Sequence, residues 1–304
     1  MKNTKDFQPK VAVIVLNYCN YQDTLSCINS LLKIDYSNYK IFIVDNDSPN
    51  ESLDQLNSVI DYNVEVIESG MNGGFAYGNN VGIQKALEEG FEYILLLNND
   101  TTIESDFLSK LIDTIQYQEN VGIVTGKILY GSDKNRIWYA GGSVDWNNLR
   151  AIHYRINQLD EDNISTVQKV GFASGCCMLI PAKIIKEIGE LPDDYFMYYE
   201  DLDYCVNIRN HGYNILYNPD SVIYHYVSSS SGGDNSPFVI EWNNRSRRLF
   251  CKKYKACIPV FKRPFVLLKC ECRSLTKIVL SKDKIKGLKA YFRSFKKGMV
   301  GNSK

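Results

Sequence analysis

Between residues 11 and 117 the chain alternates short, continuously apolar runs with longer amphipathic ones, and this rhythm limits the available folds more than any other feature. Residues 11–16 are apolar and rich in β-branched side chains with no polar break, the pattern of a strand covered on both faces. Residues 21–32 follow with Leu25, Ile28, Leu31 and Leu32 at helical spacing. Residues 41–44, 64–67 and 93–97 repeat the strand pattern, while 53–59, 76–89 (stopped by Gly90) and 106–117 repeat the helical one. Buried strands separated by helices predict an α/β fold, a Rossmann-like and mostly parallel sheet with helices on both faces. Ligands of such sheets bind beyond the carboxyl ends of the strands. The polar residues at those ends are Asn17, Asp45 with Asn46, Asn72-Gly73-Gly74, and Asn98-Asn99-Asp100.

The second half has a different rhythm. Residues 121–130 read as a strand, 138–146 as strand and turn around Gly141-Gly142, and 157–166 as a polar loop. Residues 170–180 are expected as one strand, with Pro181 at the first position of a helix over 182–188. An aromatic loop (193–199) precedes a helix over 200–210 closed by Gly212. Two strands, 213–217 and 222–227, are joined through Pro219-Asp220, and a Ser/Gly loop spans 228–236.

Composition excludes other classes. With 44% hydrophobic and 12% aromatic residues and only 8 prolines in 304, the chain is globular rather than disordered, collagenous or coiled-coil. The 35 basic and 35 acidic residues cancel, but unevenly: residues 245–304 carry 19 Lys and Arg against 2 acids, leaving 16 against 33 in the rest. Nine cysteines, none paired as CxxC, fit reduced thiols in a cytosolic compartment. Residues 1–10 are polar with no secretory h-region, and no apolar run approaches a membrane span, so any membrane association is expected from the surface.

Taken singly, the strand-end clusters are ambiguous. Asp45 can close an Asx turn or read a nucleoside, and Asp100 can cap a helix or hold a hard divalent cation on a diphosphate. Asn72-Gly73-Gly74 is a turn before a helix or a set of backbone donors beside an anion. Glu200, Asp201 and Asp203 suit the positive end of a helix. Yet Tyr195, Phe196, Tyr198 and Tyr199 crowd them, and apolar surroundings raise a carboxylate towards the pKa of a useful base. His225 is a structural strand histidine or a metal ligand beside Asp100, and a three-histidine zinc site with His153 and His211 has no support in their spacing.

Together these segments resemble a known family. Val-Leu-Asn-Tyr at 15–18, Val-Asp-Asn at 44–46, Asn-Gly-Gly-Phe-Ala at 72–76, Leu-Leu-Asn-Asn-Asp at 96–100, Gly-Phe-Ala-Ser-Gly at 171–175, Tyr-Glu-Asp-Leu-Asp at 199–203 and His225 are similar, in order and spacing, to family 2 inverting glycosyltransferases, and most to their rhamnosyltransferase-like branch. The resemblance implies a GT-A fold over residues 1–255, with a nucleotide-sugar half at about 10–120, an acceptor half at about 121–255 and a basic extension at 256–304. It implies a dTDP- or UDP-linked sugar donor and Mg²⁺ or Mn²⁺. Asp45 would bind the nucleoside, with Asn17, Asn46, Asn72, Gly73, Gly74, Asn80, Asn98 and Asn99 in the donor set. Asp100 and His225 would hold the metal, although position 98 is Asn where the family's DxD motif has Asp. Asp201, beside Glu200, would be the base, and Trp138, Tyr198, Tyr199 and Asp203 would meet a glycan or lipid-linked acceptor. The enzyme would build a bacterial surface polysaccharide.

The basic extension has two readings. Ile278, Ile285, Leu288, Phe292, Phe295 and Met299 recur at helical intervals and predict one apolar face, with Lys282, Lys284, Lys286, Lys289, Arg293, Lys296 and Lys297 mostly elsewhere. Such a helix either packs its stripe on the catalytic body or lies on an anionic membrane at the inner face of the cytoplasmic membrane. The motifs give no reason to expect a nucleic-acid partner.

Overall fold

The computed structural model describes residues 8–161, 166–227 and 235–296. Strands β1 (Val11–Asn17), β2 (Tyr39–Asp45), β3 (Val64–Glu68) and β4 (Tyr93–Asn98) form a parallel array in the order β3-β2-β1-β4. Their connections contain α1 (Tyr21–Leu31), α2 (Ser52–Asn57) and α3 (Phe75–Glu88), and α3 packs on β1 and β2. The side chains from Val11 to Val15 are 0% exposed, which explains why these strands show no polar alternation. Burying each such aliphatic side chain contributes about 1.5–3 kcal/mol. Within this array Asn17 stands opposite Asp45, and Leu16 opposite Asn98. The polar residues therefore meet along one edge of the sheet because the strands end level.

Beyond β4 the sheet becomes mixed. It adds β5 (Thr101–Ile103), β6 (Val121–Tyr130), β7 (Asp133–Tyr139), β10 (Gln168–Val170), β11 (Cys177–Pro181) and β12 (Asn214–His225). A separate hairpin pairs β8 (Gly142–Asp145) with β9 (Arg150–His153). Helix α4 (Phe107–Tyr117) packs on β6 and β12, and α5 (Ala182–Ile188) on β11. Helix α6 (Glu200–Asn210) contacts β6 and β12. The short β5, which sequence periodicity does not show, pairs antiparallel with β12 and sets Thr101 opposite His225.

Several boundaries differ from the sequence expectation for identifiable reasons. Residues 170–180 are not one strand. Gly171 and Phe172 donate their N–H groups to the Gly142 carbonyl, and Gly175 donates to Asp201, so this stretch leaves the sheet between β10 and β11. Pro181 ends β11 and precedes α5 with an extended ψ of 133°, one residue before the expected helical position. The two strands expected at 213–227 are a single β12, whose register shifts between Asn218 and Val222 and so accommodates Pro219, which has no N–H to give. Most of the Ser/Gly loop, and residues 162–165 of the polar loop, lie outside the described residues.

The C-terminal region forms three helices: α7 (Pro237–Lys253), α8 (Arg263–Leu280) and α9 (Lys284–Arg293). Ser236 caps α7 by accepting from the Val239 N–H, with Pro237 at the first position. The single apolar face expected from Ile278 onward is interrupted at Asp283, which caps α9 by accepting from the Lys286 N–H. Ile278 is buried with Ile240 and Ala290. Ile285, Leu288 and Phe292 are 44–70% exposed and face outward, whereas Phe295 packs under the Arg248 guanidinium, 3.6 Å from its ring centroid, so the stripe is divided between packing and solvent. Met299 and Lys297 lie outside the described residues.

Asp203 fastens the end of α7 to α6. It is 1% exposed, and its carboxylate accepts from Tyr195 Oη at 2.8 Å, Tyr254 Oη at 2.6 Å and Lys253 Nζ at 2.8 Å. This corrects its expected place among the acceptor contacts, because its oxygens are consumed inside the fold. Asp203→Ala would leave two buried tyrosine hydroxyls without that acceptor, and the expected loss of stability in urea denaturation is at least about 2 kcal/mol. A loss below about 0.5 kcal/mol would show that the anchor is dispensable.

Candidate active site

The carboxyl edge of the parallel strands carries a continuous polar network. Asn99 Nδ2 donates to Thr24 Oγ1 (2.9 Å), Thr24 Oγ1 donates to Asn17 Oδ1 (2.8 Å), and Asn17 Nδ2 donates to Asp45 Oδ1 (2.7 Å). Ser48 donates to Asp45 through both its N–H (2.9 Å) and its hydroxyl (2.7 Å). Three donors thus fill three of the roughly four acceptor directions of the Asp45 carboxylate. The Asx-turn reading therefore holds geometrically, and it leaves one direction for a ligand. Thr24 and Ser48 carry no motif, and they became visible only once the strand ends were aligned.

A second set of contacts runs from β2 into the glycine turn. Asn46 Nδ2 donates to Asn72 Oδ1 (3.0 Å) and to the Gly74 carbonyl (3.2 Å), while its Oδ1 accepts from Ser69. Gly74 has φ +91°, and a Cβ there would lie 2.0 Å from the Phe196 carbonyl oxygen. Phe75 N–H donates to that same oxygen at 2.9 Å. Only glycine permits this approach, which brings the aromatic loop directly over the Asn72-Gly73-Gly74 turn. Asn80 instead clamps the Leu191 backbone, donating to its carbonyl and accepting from its N–H. Its amide is spent on holding that loop and does not face the donor edge. Asn98 stands half-buried at the end of β4.

Asp100 and His225 meet through the β5–β12 pairing. His225 Nε2 lies 3.0 Å from Asp100 Oδ1, with both side chains about nine-tenths buried. His225 Nδ1 is buried with no hydrogen-bond partner among the described residues. No group of three His, Cys, Asp or Glu side chains able to hold a metal occurs among them. Two protein ligands fit a hard cation that takes its remaining ligands from diphosphate oxygens and water, as Mg²⁺ commonly does. Trp138 packs edge-on against His225 (4.5 Å between centroids) and against His153 (4.7 Å). It is therefore a wall between the Asp100 pair and the next cavity, a role that sequence did not reveal for it or for His153.

That cavity, of about 300 Å³, is lined by Arg150, His153, Phe172, Tyr198, Tyr199, Glu200, Asp201 and Asn243 among others. Asp201 Oδ2 accepts from Gly175 N–H at 3.1 Å and Oδ1 from Leu202 N–H at 2.7 Å. Burial raises the Asp201 carboxyl above its ordinary range, partly offset by these two donors. Glu200, 5% exposed, is pushed well up by burial and then by the neighbouring Asp201. Burial lowers the His153 imidazole. Tyr198 and Tyr199 both have positive φ, 68° and 74°, immediately before α6. Each costs about 1–3 kcal/mol and is held by outside contacts: Tyr199 Oη donates to the Leu149 carbonyl at 2.5 Å, and Ser246 Oγ to the Met197 carbonyl at 2.8 Å. The strained turn aims the start of α6 into the cavity, where a raised carboxylate can accept a proton near neutral pH.

Known proteins share this architecture. A dTDP-rhamnosyl transferase, RfbF, of Shigella flexneri is 27% identical over 222 residues, covering 72% of this chain and 70% of its own. The low-salt glycan biosynthesis hexosyltransferase Agl10 of Haloferax volcanii is 29% identical over 208 residues, 67% of this chain; the match spans 63% of the Haloferax protein. Among solved structures, the mannosyltransferase PcManGT from Pyrobaculum calidifontis, in complex with GDP-Man and Mn²⁺, superposes with a TM-score of 0.59 at 14% identity, over 94% of this chain and 74% of that one. These likenesses give the GT-A fold. Residues 11–189 match the model of glycosyl transferase family 2, so with its fold and its strand-end polar edge the chain belongs to that family.

Proposed function

We propose that the protein is an inverting, metal-dependent glycosyltransferase that moves a sugar, rhamnose by preference, from a dTDP- or UDP-linked donor to a hydroxyl of a glycan or lipid-linked acceptor. The observation that carries this reading is Asp201, a raised carboxylate held by two backbone donors in a cavity whose lining residue His153 packs on Trp138, which packs in turn on His225 of the Asp100–His225 pair. The rhamnose preference rests on the likeness to the Shigella dTDP-rhamnosyl transferase. The setting is assembly of a bacterial surface polysaccharide.

Donor binding falls to the strand-end edge. Asp45, oriented by Asn17 and Ser48, uses its remaining acceptor direction on the nucleoside base, and Asn46 keeps the Asn72-Gly73-Gly74 turn in place beside the diphosphate. Asp100 and His225 would hold Mg²⁺ or Mn²⁺, which when bound neutralises charge on the leaving diphosphate. Asp201 takes the proton of the acceptor hydroxyl. That oxygen forms its bond to the anomeric carbon from the face opposite the diphosphate, whose bond to the same carbon breaks, and configuration inverts. Tyr198, Tyr199, Phe172 and His153 give the acceptor sugar an aromatic enclosure that excludes water. Residues 10–120 would serve the donor, 121–255 the acceptor, and 256–304 the membrane.

The membrane role is supported by the outward stripe of α9. Ile285, Leu288 and Phe292 are exposed among Lys284, Lys286, Lys289 and Arg293, the arrangement of an interfacial helix on anionic lipid. No helix among the described residues is long and apolar enough to cross a membrane. The protein would thus work at the inner face of the cytoplasmic membrane.

Asp201→Asn is expected to retain nucleotide binding in calorimetry while sugar transfer falls at least about a hundredfold; near-normal turnover would remove Asp201 from the role. In the wild type, kcat/KM should decline on the acid side with a midpoint above the ordinary aspartate value of 3.8, because the base works only when deprotonated and burial raises it. A midpoint at or below that value would contradict a buried base. For the membrane, substitution is cleaner than truncation, since removing α8 and α9 would uncover Ile240 on α7. The triple change Ile285→Ser, Leu288→Ser and Phe292→Ser should keep the fold and abolish flotation with phosphatidylglycerol vesicles. Unchanged flotation would sink the membrane role.

A further inference from the structure

Next to the catalytic cavity lies a second one, of about 190 Å³, for which the proposed transfer has no use so far. The two share Arg150, Tyr199 and Asn243 in their walls and therefore adjoin. Neither Asp100 nor His225 lines either of them, so this space is distinct from the donor diphosphate position. Its far wall comes from α7 and α8.

Four cationic side chains line it, Arg150, Arg247, Arg273 and Lys277, and no carboxylate among the described residues does. Among the described residues, two of the arginines have partial acidic partners: Arg150 Nε lies 3.6 Å from Asp145, and Arg247 Nη2 3.6 Å from Glu271, which Arg248 engages more closely at 3.0 Å. Two of the arginines are also fixed. Arg247, 7% exposed, donates to Ser274 Oγ at 3.1 Å, and Arg273 donates to Asn148 Oδ1 at 2.8 Å. Pre-set guanidinium forks in a recess match phosphate oxygens far better than mobile surface lysines do.

We propose that this second cavity binds the phosphate or diphosphate of the acceptor, making the acceptor a glycosyl phosphate or glycosyl diphosphate whose sugar occupies the Asp201 cavity. The proposal deepens the transferase reading and rests on it. It also gives a use to the guanidinium groups that α7 and α8 place in this wall. The wall on α8 leads outward from Lys277 to the exposed Leu280 one turn on, so a lipid attached to the phosphate would leave towards apolar surface. An acceptor held this way carries its sugar directly on the phosphate, which places the reaction early in chain assembly, after a step that joins a sugar phosphate to its carrier.

The test titrates inorganic pyrophosphate into the full-length protein in metal-free buffer with chelator, by calorimetry. The wild type is expected to bind one equivalent, and the double variant Arg273→Gln, Lys277→Gln to bind at least tenfold more weakly with an unchanged thermal midpoint. Lys277→Glu alone, at a half-buried surface position, should weaken binding comparably and serves if the double variant unfolds. Equal affinity in the variants would overturn the proposal. So would displacement of pyrophosphate by saturating dTDP or UDP with Mg²⁺, which would put it in the donor site. Phosphatidylglycerol vesicles separate the other phosphate source: retained flotation of the double variant supports an acceptor site, whereas a tenfold loss would assign the cavity to a lipid headgroup. Nucleotide titration, run separately, tests the transferase reading, and its failure would leave the pyrophosphate result standing.

Discussion

Everything at the catalytic cavity depends on keeping two adjacent carboxylates, Glu200 and Asp201, out of water at the start of one helix. Burial raises both carboxyls, and the neighbouring Asp201 raises Glu200 further. The fold offsets the cost unequally. Asp201 receives the N–H groups of Gly175 and Leu202, whereas Glu200 Oε2 has no partner among the described residues. The Glu200 carboxyl is therefore raised further than that of Asp201. The helix N-terminus adds to the stabilisation of whichever charge forms.

Such a site needs a rigid surround, and three parts of the chain supply it. The strained Tyr198-Tyr199 turn is fixed from outside by Leu149 and Ser246, and Gly74 lets Phe196 press onto the donor turn. Behind the helix, Asp203 binds Tyr195, Tyr254 and Lys253, which connects α6 to the end of α7. Trp146 stacks on Phe250 and Tyr199 packs on the same ring. Helix α7 is thus part of the same mechanical unit, since the loop before α6 is braced against it.

The parallel half of the fold was legible because its strands are buried on both faces and its helices are regular, so apolar runs mapped directly onto elements. The strand-end residues were legible for the same reason: once strands are known, their ends are known. What pattern reading could not see were effects of register and of backbone spent on side chains. Residues 171–176 look like strand, yet the N–H groups of Gly171 and Phe172 go to the Gly142 carbonyl, that of Ala173 to Cys205 Sγ, that of Gly175 to Asp201 and that of Cys176 to Ser174 Oγ. Asn80 and Asp203 look like ligand-facing polar residues, yet they are consumed by Leu191 and by three internal donors. Trp138 and His153 carry no motif, because their role comes from β7 and β9 converging beside His225. In the basic extension, helical spacing was read correctly but continuity was not: an Asp at position 283 is both a charge and a cap, and here it caps.

The charge distribution acquires a mechanical meaning in this light. Seventeen excess positive charges in the last sixty residues were first a statement about partners. In the fold they divide by depth: Arg247 is buried against Ser274, Arg248 pairs with Glu271, and the lysines of α9 stay outside. Arg247 and Arg248 take inner positions, where a planar fork can satisfy several acceptors at once, while Lys284, Lys286 and Lys289 stay at the surface, where a hydrated point charge costs nothing to keep. A tail selected only for attraction to a membrane would have no need of that sorting. Arg247, buried on α7, and the half-buried Arg273 on α8 face inward, into a cavity that shares Arg150, Tyr199 and Asn243 with the one lined by Asp201.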